Sequence, residues 1–324
     1  MTSVLRAHAA AQAAGLAHAG RLIRATNSVN EVWFIGPYVL RINPHPEQAR
    51  LLHERDVLAA LPADLPIPEL VSYGVGTFGE WLVVRRVPGE QLSRIWLDIN
   101  DHVRERSITR LGHALRQLHA VDFAGVGLKA PSFLTGDSLD CPHQLPAGRL
   151  LDLLSRAALL PFVDRGVIRS AVDLVFTAAD ALDDEPTALV HGDLHFENVL
   201  CDGFDLTGII DFEWTRPGPP DLDLDVMLHS LADPALHVAA DYTALPQRSD
   251  FDHVTSWLRE AYPELFSHPR LPDRLLVYRL SYDTRAMLAH PPTAPPDQLS
   301  PHHPYRRLQR VVEGRSDLAW ILAG

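Results

Sequence analysis

Three oxygen-bearing side chains in the middle of the chain have the spacing that ATP-dependent phosphoryl transfer needs. Asp193 and Asn198 lie five residues apart in the segment HGDLHFENVL, and Asp211 follows thirteen residues further on, in the segment IIDFEW. An Asp can accept the proton of a substrate hydroxyl, while an amide oxygen and a second carboxylate are hard ligands that suit Mg²⁺. The spacing therefore predicts a phosphotransferase site, in which positioning and metal neutralisation do most of the catalysis.

Apolar runs on both sides of these residues predict the strands that would hold them. One run covers 188–190, a second covers 199–200, and a third at 206–210 delivers Asp211 at its end. Taken singly, the three polar residues are equally typical of a turn, a loop cap and a strand end. The combined spacing and flanking strands favour the phosphotransferase interpretation. His191 is predicted to pack and hydrogen-bond within the loop rather than to act as a base.

The two segments together resemble the aminoglycoside phosphotransferase family, the small-molecule branch of the kinase-like fold. Protein kinases carry H-R-D-x-x-x-x-N and then D-F-G, whereas this family shows H-G-D-x-x-x-x-N and then I-D-F or I-D-W; Gly192 and Phe212 match the second pattern. The resemblance implies an α+β, two-lobed protein-kinase-like fold, with an antiparallel sheet plus a helix in the N-lobe and a mostly helical C-lobe. It also implies ATP, or GTP, as phosphate donor with Mg²⁺, Asp193 as catalytic base, and Asn198 with Asp211 as metal ligands.

The N-terminal part carries a charged pair expected to grip the nucleotide. Arg41 lies in a strand-like run at 39–42, and Glu54 lies on a helix predicted for residues 46–61. We expect these two side chains to pair, so that the guanidinium meets the phosphates. Arg41 stands where protein kinases have Lys, and the only lysine of the chain is Lys129. Because Arg offers a planar fork and Lys a point charge, we expect phosphate binding to survive with altered geometry.

A segment upstream of Arg41 fits the hairpin that covers the phosphates. Residues 25–35 contain no glycine, so backbone amides cannot approach phosphate as they do in a Gly-rich loop. Asn and Ser side chains would have to form the tight turn and supply donors. Ser28 is the first candidate for a phosphate contact and Asn30 is the second.

A strand-like run at 80–87 ends at a Pro-Gly pair, which turns the chain. In the family this is the hinge that joins the lobes, where adenine pairs with backbone groups. The resemblance therefore implies adenine contacts from the carbonyl of Arg85 and the amide of Val87. It divides the chain into a nucleotide-binding lobe at 1–87 and a helical catalytic and substrate lobe at 88–324.

Charge is distributed unequally between these two parts. Residues 1–87 carry a net charge of +1 and residues 88–324 carry −13. An acidic field concentrates cations and disfavours anions. We therefore expect a small, cationic acceptor with a hydroxyl group, such as an aminoglycoside-like antibiotic or another metabolite, although many proteins are acidic for solubility alone.

Further acidic residues follow Asp211. Asp221, Asp223 and Asp225 form the densest acidic cluster, and Asp221 is predicted to cap the helix that follows. The resemblance implies that this element braces the catalytic loop. Glu213 and Trp214 are candidates to line the acceptor site, and packing in the core is an equally good interpretation of Trp214.

Composition and length limit the other classes of function. The chain has 324 residues with 46% hydrophobic content, which suits two lobes with a substantial core. No apolar run approaches the roughly 20 residues that span a bilayer, and no basic patch predicts nucleic-acid binding. Cys141 and Cys201 do not form a disulfide framework, so we expect a cytoplasmic protein. The sequence specifies no oligomeric state.

Three other classes of protein share parts of this pattern. A protein kinase needs an activation segment that ends in A-P-E, and no such element follows Asp211. A metal-dependent hydrolase built on His191, Asp193 and His195 needs a further cluster of ligands at metal spacing, and the sequence has none. A nucleotide-binding pseudokinase or scaffold without turnover remains the alternative, because the phosphate loop lacks glycine and Arg41 replaces lysine.

Overall fold

The N-terminal part of the chain folds into an antiparallel sheet with one helix on each face. The computed structural model describes residues 1–25, 31–125, 128, 147–182, 187–234, 246–316 and 318. The sheet has five strands in the order β1-β2-β3-β5-β4. The strands are β1 (Leu22–Arg24), β2 (Glu31–Ile35), β3 (Tyr38–Asn43), β4 (Leu70–Gly76) and β5 (Gly79–Arg85), and the helices are α1 (Ser3–Ala13) and α2 (Arg50–Ala60).

Strand alternation decides which side chains of β3 and β5 meet each helix. Leu40 and Ile42 pack with the small residues of α1 on one face of the sheet. Because successive side chains of a strand point to opposite faces, Arg41 between them points to the α2 face. Leu82 of β5 packs with Leu51 of α2 on that same face. The sequence pattern of β3 thus places a lone arginine among apolar residues, facing the helix that carries Glu54.

Helix α2 begins later than the sequence predicts. A single 3₁₀ turn covers Pro46–Gln48, and Ala49 then adopts left-handed φ of 51° with no side-chain cap. Glu80 of β5 supplies the missing acceptors, since its carboxylate accepts hydrogen bonds from the amides of Leu51 at 3.1 Å and Leu52 at 3.0 Å. A buried carboxylate from the sheet therefore fixes where α2 starts.

The C-terminal part is mostly helical and is organised around one long helix. Helix α9 packs against α5, α6, α7 and α10, while α4 packs against α8. The helices are α3 (Leu92–Ile95), α4 (Asp101–His119), α5 (Ala147–Ala157), α6 (Arg165–Ala178), α7 (Asp221–Ala232), α8 (Val254–Ala261), α9 (Leu271–Ala289) and α10 (Pro304–Val312). In the part of the chain that the structure describes, none of the helices has the length and apolar character to cross a membrane.

Two small sheets in the C-terminal part hold the loops that carry the polar motif. β7 (Ala188–Val190) pairs with β10 (Arg216–Gly218), and β6 (Glu90–Gln91), β8 (Val199–Cys201) and β9 (Leu206–Ile209) form the second sheet. The three strands predicted around the motif are therefore present. Since β6 follows the predicted hinge directly, the second sheet also joins that hinge to the motif.

Candidate active site

The catalytic loop, residues 191–198, connects β7 to β8. Its Gly192 has φ of +83°, a conformation that L side chains rarely adopt. A Cβ at this position would lie 2.4 Å from the carbonyl oxygen of Trp214 and 2.5 Å from Nη1 of Arg216. Both the backbone conformation and the close approach of the neighbouring chain therefore require glycine after His191.

A buried aspartate on α7 holds the backbone of this loop. Asp223 accepts one hydrogen bond from the amide of His191 at 2.8 Å and another from the amide of Gly192 at 2.7 Å. His119 of α4 lies 3.0 Å from the same carboxylate and contacts the hydroxyl of Tyr262 at 3.1 Å. Burial alone would raise the pKa of Asp223, but the hydrogen bond and charge of His119 bring it below its ordinary value. The carboxylate thus stays ionised and anchors the loop.

The prediction that Asp221 caps α7 is wrong. Pro220 is the residue before the helix, and no side-chain capping bond is present there. Asp221 instead pairs with the buried Arg274, with 2.6 Å between Oδ2 and Nε. Asp225 lies 3.2 Å from Nε of Arg279 in the same way. Asp221 and Asp225 are thus each paired with a buried arginine, and Asp223 alone of the three binds the amides of the loop.

His191 ties the catalytic loop to the strand that leads to Asp211. Its Nε2 donates to the carbonyl of Ile210 at 3.0 Å, and its Nδ1 accepts from the amide of Asp193 at 3.3 Å. Its ring also packs on Phe212, with 4.8 Å between the ring centroids. Because both nitrogens are used by the backbone, His191 has the structural role that the sequence indicates.

Asp193 and Asn198 are joined within the loop. Nδ2 of Asn198 donates to the carbonyl of Asp193 at 2.8 Å, so the amide oxygen is the group of this side chain that can meet a cation. The side chain of Asp193 is 32% exposed, and its Oδ2 lies 3.7 Å from Nε2 of His195. Burial opposes a charge on His195, yet the interaction with Asp193 raises its pKa above the ordinary value. Asp193 is therefore an accessible carboxylate beside a histidine whose protonated form it stabilises.

Asp211 lies at the end of β9, in a strained conformation. Its φ is 71° and its ψ is 65°, which is left-handed and uncommon outside glycine, although Asp and Asn tolerate it best. The following 3₁₀ turn is Phe212–Trp214. Nη2 of Arg41 donates to Oδ1 of Asp211 at 2.9 Å. This contact joins the N-terminal sheet to the end of the C-terminal strand.

Arg41 makes the predicted ion pair with Glu54 and is enclosed by further carboxylates. Its Nη1 lies 2.5 and 2.6 Å from the two carboxylate oxygens of Glu54, and its Nη2 lies 3.5 Å from Glu213. Burial would lower the pKa of Arg41, but Asp211, Glu54 and Glu213 raise it above the ordinary value. Burial and the charges of Asp211 and Glu213 raise the pKa of Glu54, against the effect of Arg41. The cluster holds more negative than positive charge.

Glu213 is the site residue that sequence reasoning left undecided. It is buried between Arg41 and Arg50, whose Nη1 lies 3.8 Å from its Oε1. It therefore belongs to the buried charged cluster around Arg41. Its position two residues after Asp211, on the next 3₁₀ turn, was the available signal.

Two of the candidate residues, Ser28 and Asn30, lie outside the residues that the structure describes. Strand β2 begins immediately after them at Glu31, and Nε of Arg6 in α1 donates to the Glu31 carboxylate at 3.0 Å. Helix α1 thus fixes the strand that follows the predicted phosphate loop.

The predicted adenine contacts lie where β5 leaves the sheet. Arg85 is the last residue of β5 and pairs with Tyr38 of β3. The next amide, of Arg86, donates to the carbonyl of Pro37 at 2.8 Å. The side chain of Val87 packs so closely on Gly208 that a Cβ there would lie 2.7 Å from it. The backbone at 85–87 is therefore held between the N-terminal sheet and β9.

Comparison with known proteins places the chain in a family. The model of the phosphotransferase enzyme family, APH, matches residues 20–253, and the chain belongs to that family. The resemblance drawn from the polar motif is therefore confirmed, and so is the prediction of an enzyme of the small-molecule kinase class. None of the curated proteins matches the sequence.

Solved structures share the fold at low sequence identity. The GDP complex of aminoglycoside 2′-phosphotransferase-IIIa has a TM-score of 0.65 and 16% identity, covering 98% of this chain and 99% of its own. A choline/ethanolamine kinase family protein from Mesorhizobium loti has a TM-score of 0.60 and 19% identity, with 100% of both chains covered. Aminoglycoside phosphotransferase APH(3″)-Id from Streptomyces rimosus has a TM-score of 0.54 and 19% identity, covering 88% of this chain and 99% of its own. These similarities confirm the two-lobed kinase-like fold.

Proposed function

We propose that this enzyme transfers the γ-phosphate of ATP to a hydroxyl group of a small, cationic molecule. The observation that carries the proposal is a chain of hydrogen bonds between the three predicted residues and the Arg41–Glu54 pair. Asn198 bonds the carbonyl of Asp193, the amide of Ile210, next to Asp211, donates to the carbonyl of Asn198 at 2.9 Å, and Arg41 bonds both Asp211 and Glu54. Asp193 would accept the hydroxyl proton while the oxygen attacks the γ-phosphorus and the bond to ADP breaks. Its exposure gives an acceptor access, and the hydrogen bond to its backbone carbonyl holds it in place.

The donor set suits a magnesium ion that is shared with nucleotide phosphates. Asn198 offers an amide oxygen, and Asp211 a carboxylate that is one-third exposed. Around them the carboxylates outnumber the guanidinium groups, which favours a divalent cation. When bound, Mg²⁺ would neutralise charge on the phosphates. Within the described ranges no three His, Cys, Asp or Glu side chains could hold a metal alone, and a magnesium ion bound partly by phosphates needs none.

Nucleotide binding is assigned to the N-terminal lobe, residues 1–87. Arg41, oriented by Glu54, would contact the phosphates that are not transferred. The phosphate loop would contribute Ser28 and Asn30, and the backbone of Arg85 and Val87 would pair with the purine. Solved structures with the same fold in complex with GDP, with ADP and with ATP support a purine nucleotide as phosphate donor, with ATP as the proposal and GTP as the alternative.

The acceptor is assigned to the C-terminal lobe, residues 88–324. The net charge of −13 in this part supports a cationic hydroxyl compound. Structural relatives described as complexes with gentamicin and with streptomycin support acceptors of that kind, an aminoglycoside-like antibiotic or a related metabolite. The low cysteine content supports a cytoplasmic location, where ATP is available.

The test of the proposal is Asp193→Asn, with turnover and nucleotide binding measured separately. Loss of a general base lowers kcat by about 10²–10⁴-fold, and we expect the Kd for Mg·ADP to stay within about threefold. ADP release is measured over aminoglycosides, macrolides, choline-like amines, homoserine and sugars. Unimpaired turnover in the variant would show that Asp193 is not the base, and a preference for anionic acceptors would overturn the charge argument.

A pseudokinase is the second candidate, and the enclosure of Arg41 favours it. Three carboxylates hold this guanidinium, so phosphates must compete with them. A pseudokinase would bind Mg·ATP and release no ADP with any member of the acceptor panel. Acceptor-dependent ADP release from the wild-type enzyme, lost in Asp193→Asn, excludes it.

A further inference from the structure

Thr215 connects three parts of the site. It is fully buried and follows the 3₁₀ turn after Asp211. Its carbonyl accepts a 2.6 Å hydrogen bond from Nε2 of His53, and its hydroxyl donates to the carbonyl of His191 at 3.3 Å. Its amide donates to Phe212 at 3.2 Å. One residue therefore touches the N-terminal helix α2, the turn beyond Asp211 and the catalytic loop.

Helix α2 grips this turn with one face. Its residues 50, 53 and 54 are spaced by three and four, so their side chains lie on the same side of the helix. Arg50 places its guanidinium 5.3 Å from the ring of Trp214, and Glu54 accepts a hydrogen bond from the backbone of Phe212. His53 bonds the carbonyl of Thr215, the residue that follows the turn. These contacts cross between the two lobes.

The His53 bond has a defined direction. A carbonyl oxygen can only accept, so Nε2 of His53 carries the hydrogen. Burial lowers the pKa of His53 below its ordinary value, against the effect of the Thr215 carbonyl. The bond therefore forms with a neutral ring.

The next step of the path leads to the catalytic base. The carbonyl of His191 accepts the hydrogen bond from the Thr215 hydroxyl. Nδ1 of the same histidine accepts a hydrogen bond from the amide of Asp193. A displacement of Thr215 is therefore transmitted through two hydrogen bonds to the residue proposed to take the proton.

We propose that His53 and Thr215 form a link through which α2 positions the catalytic loop. Both are positioning residues, because neither touches the reacting atoms. The link rests on the proposed function for its effect on catalysis. Its physical consequence is that the helix orienting Arg41 and the loop carrying Asp193 move together, so that nucleotide binding and acceptor activation share one geometry.

The test removes the hydrogen bond of His53, the hydroxyl hydrogen bond of Thr215, and then both together. His53→Leu removes the N-lobe bond, and Thr215→Val removes the hydroxyl while keeping its shape and its carbonyl. Misplacement of a catalytic group costs up to about 100-fold in rate, and we expect kcat to fall about tenfold in each variant. His53→Gln and Thr215→Ser keep donors and should restore kcat to within about threefold of the wild type.

The double variant decides whether the two bonds act together. Two cuts in one path should cost little more than one, so His53→Leu/Thr215→Val should also fall about tenfold, whereas independent effects would multiply to about 100-fold. Multiplying effects, or a kcat unchanged in both single variants, would overturn the proposal. His8→Leu, an exposed histidine on α1, is the matched control and should leave kcat unchanged.

Hydrogen exchange tests the link without turnover. We expect the amide of Asp193 to exchange about tenfold faster in His53→Leu and at the wild-type rate in His53→Gln, with the Asp223-bonded amide of Gly192 protected in both. Unchanged exchange at Asp193 in His53→Leu would overturn the link. Since this measurement needs no acceptor, it separates failure of the link from failure of the proposed function, which the Asp193→Asn assay reports.

Discussion

The two sides of the site differ in how much solvent reaches their charges. On the side proposed to bind the nucleotide (the nucleotide side), Arg41 is 8% exposed and contacts three carboxylates, and Glu54 is 3% exposed and is held by Arg41 and the backbone of Phe212. On the side proposed to bind the acceptor (the acceptor side), the side chain of Asp193 is 32% exposed. A buried charge needs its partners for folding, whereas an exposed one does not. The difference indicates that the nucleotide side is part of the core and the acceptor side is not.

Arg41→Met should have the largest effect on folding stability and so tests the difference between the two sides most directly. It leaves the carboxylates of Glu54, Asp211 and Glu213 without their shared cation, and loss of one partner of a buried pair costs about 3–5 kcal/mol of folding free energy. Denaturant unfolding measures this. In Asp193→Asn the same experiment should give a change within about 0.5 kcal/mol. A half-exposed arginine on α4, Arg106, gives the control variant Arg106→Met.

Equal stability losses at Arg41 and Asp193 would contradict the comparison. They would mean that the acceptor side is also needed for folding. No loss in Arg41→Met would mean that the three carboxylates tolerate one another, for example by taking up a proton.

Asp223→Asn should come second. An amide cannot accept with both of its heavy atoms, so one of the His191 and Gly192 amides loses its acceptor, which costs about 1–3 kcal/mol. We also expect a lower kcat at an unchanged KM for ATP, because the loop carrying Asp193 loosens while the nucleotide side is intact. Asp252→Asn, on an exposed residue, is the control. A change in the KM for ATP alone would show that Asp223 serves the nucleotide side.

Glu80→Gln should have a smaller effect on stability, and its main kinetic effect should be on the use of ATP. The variant weakens the acceptors at the start of α2, and loss of a cap costs about 1 kcal/mol. Because α2 orients Glu54, the KM for ATP should rise about threefold, and because His53 on the same helix bonds Thr215, kcat should fall as well, by less than in His53→Leu, where that bond is removed. Steady-state kinetics at varied ATP measures this. A fall in kcat without a change in KM would contradict it.

The smallest predicted effect is on the pH dependence of stability, and it concerns His195 on the acceptor side. The pKa of His195 is raised above its ordinary 6.5 in the folded chain. The folded state therefore binds this proton more tightly, and the stabilisation is complete below about pH 6.5 and is lost as pH rises through the folded-state pKa. Unfolding measured from pH 6 to 9 should show a decline in the wild type that His195→Gln lacks. His113→Gln, exposed on α4, should keep it.

The catalytic motif was predictable because its residues are close in sequence. A loop between short strands places Asp193 and Asn198 together whatever surrounds them, and the strand before Asp211 brings the third residue back beside them. Arg41 and Glu54 were also predictable, because strand alternation and helix periodicity act over a few residues. Alternation also put Arg41 on the α2 face of the sheet, between two residues that pack on α1.

The misses were residues whose roles depend on distant partners. Asp221 has the residue type and position of a helix cap, but Arg274, more than fifty residues away, takes its carboxylate. Glu80 has no local signal at all, because it caps a helix that precedes it in the chain. The sequence does not show which part of the site Glu213 faces, and only its contacts with Arg41 and Arg50 decide this.

The sequence by itself determined the class of this enzyme, and it predicted which side chains would take a proton, which would bind magnesium, and which strand and helix would supply the phosphate-binding charge. Only the tertiary structure decided what holds these groups in place: Asp223 beneath the loop, Glu80 at the start of α2, and His53 with Thr215 between the lobes. The physical reason is range. Periodicity and turn chemistry act between neighbours along the chain, whereas a buried hydrogen bond or ion pair selects its partner by position in space.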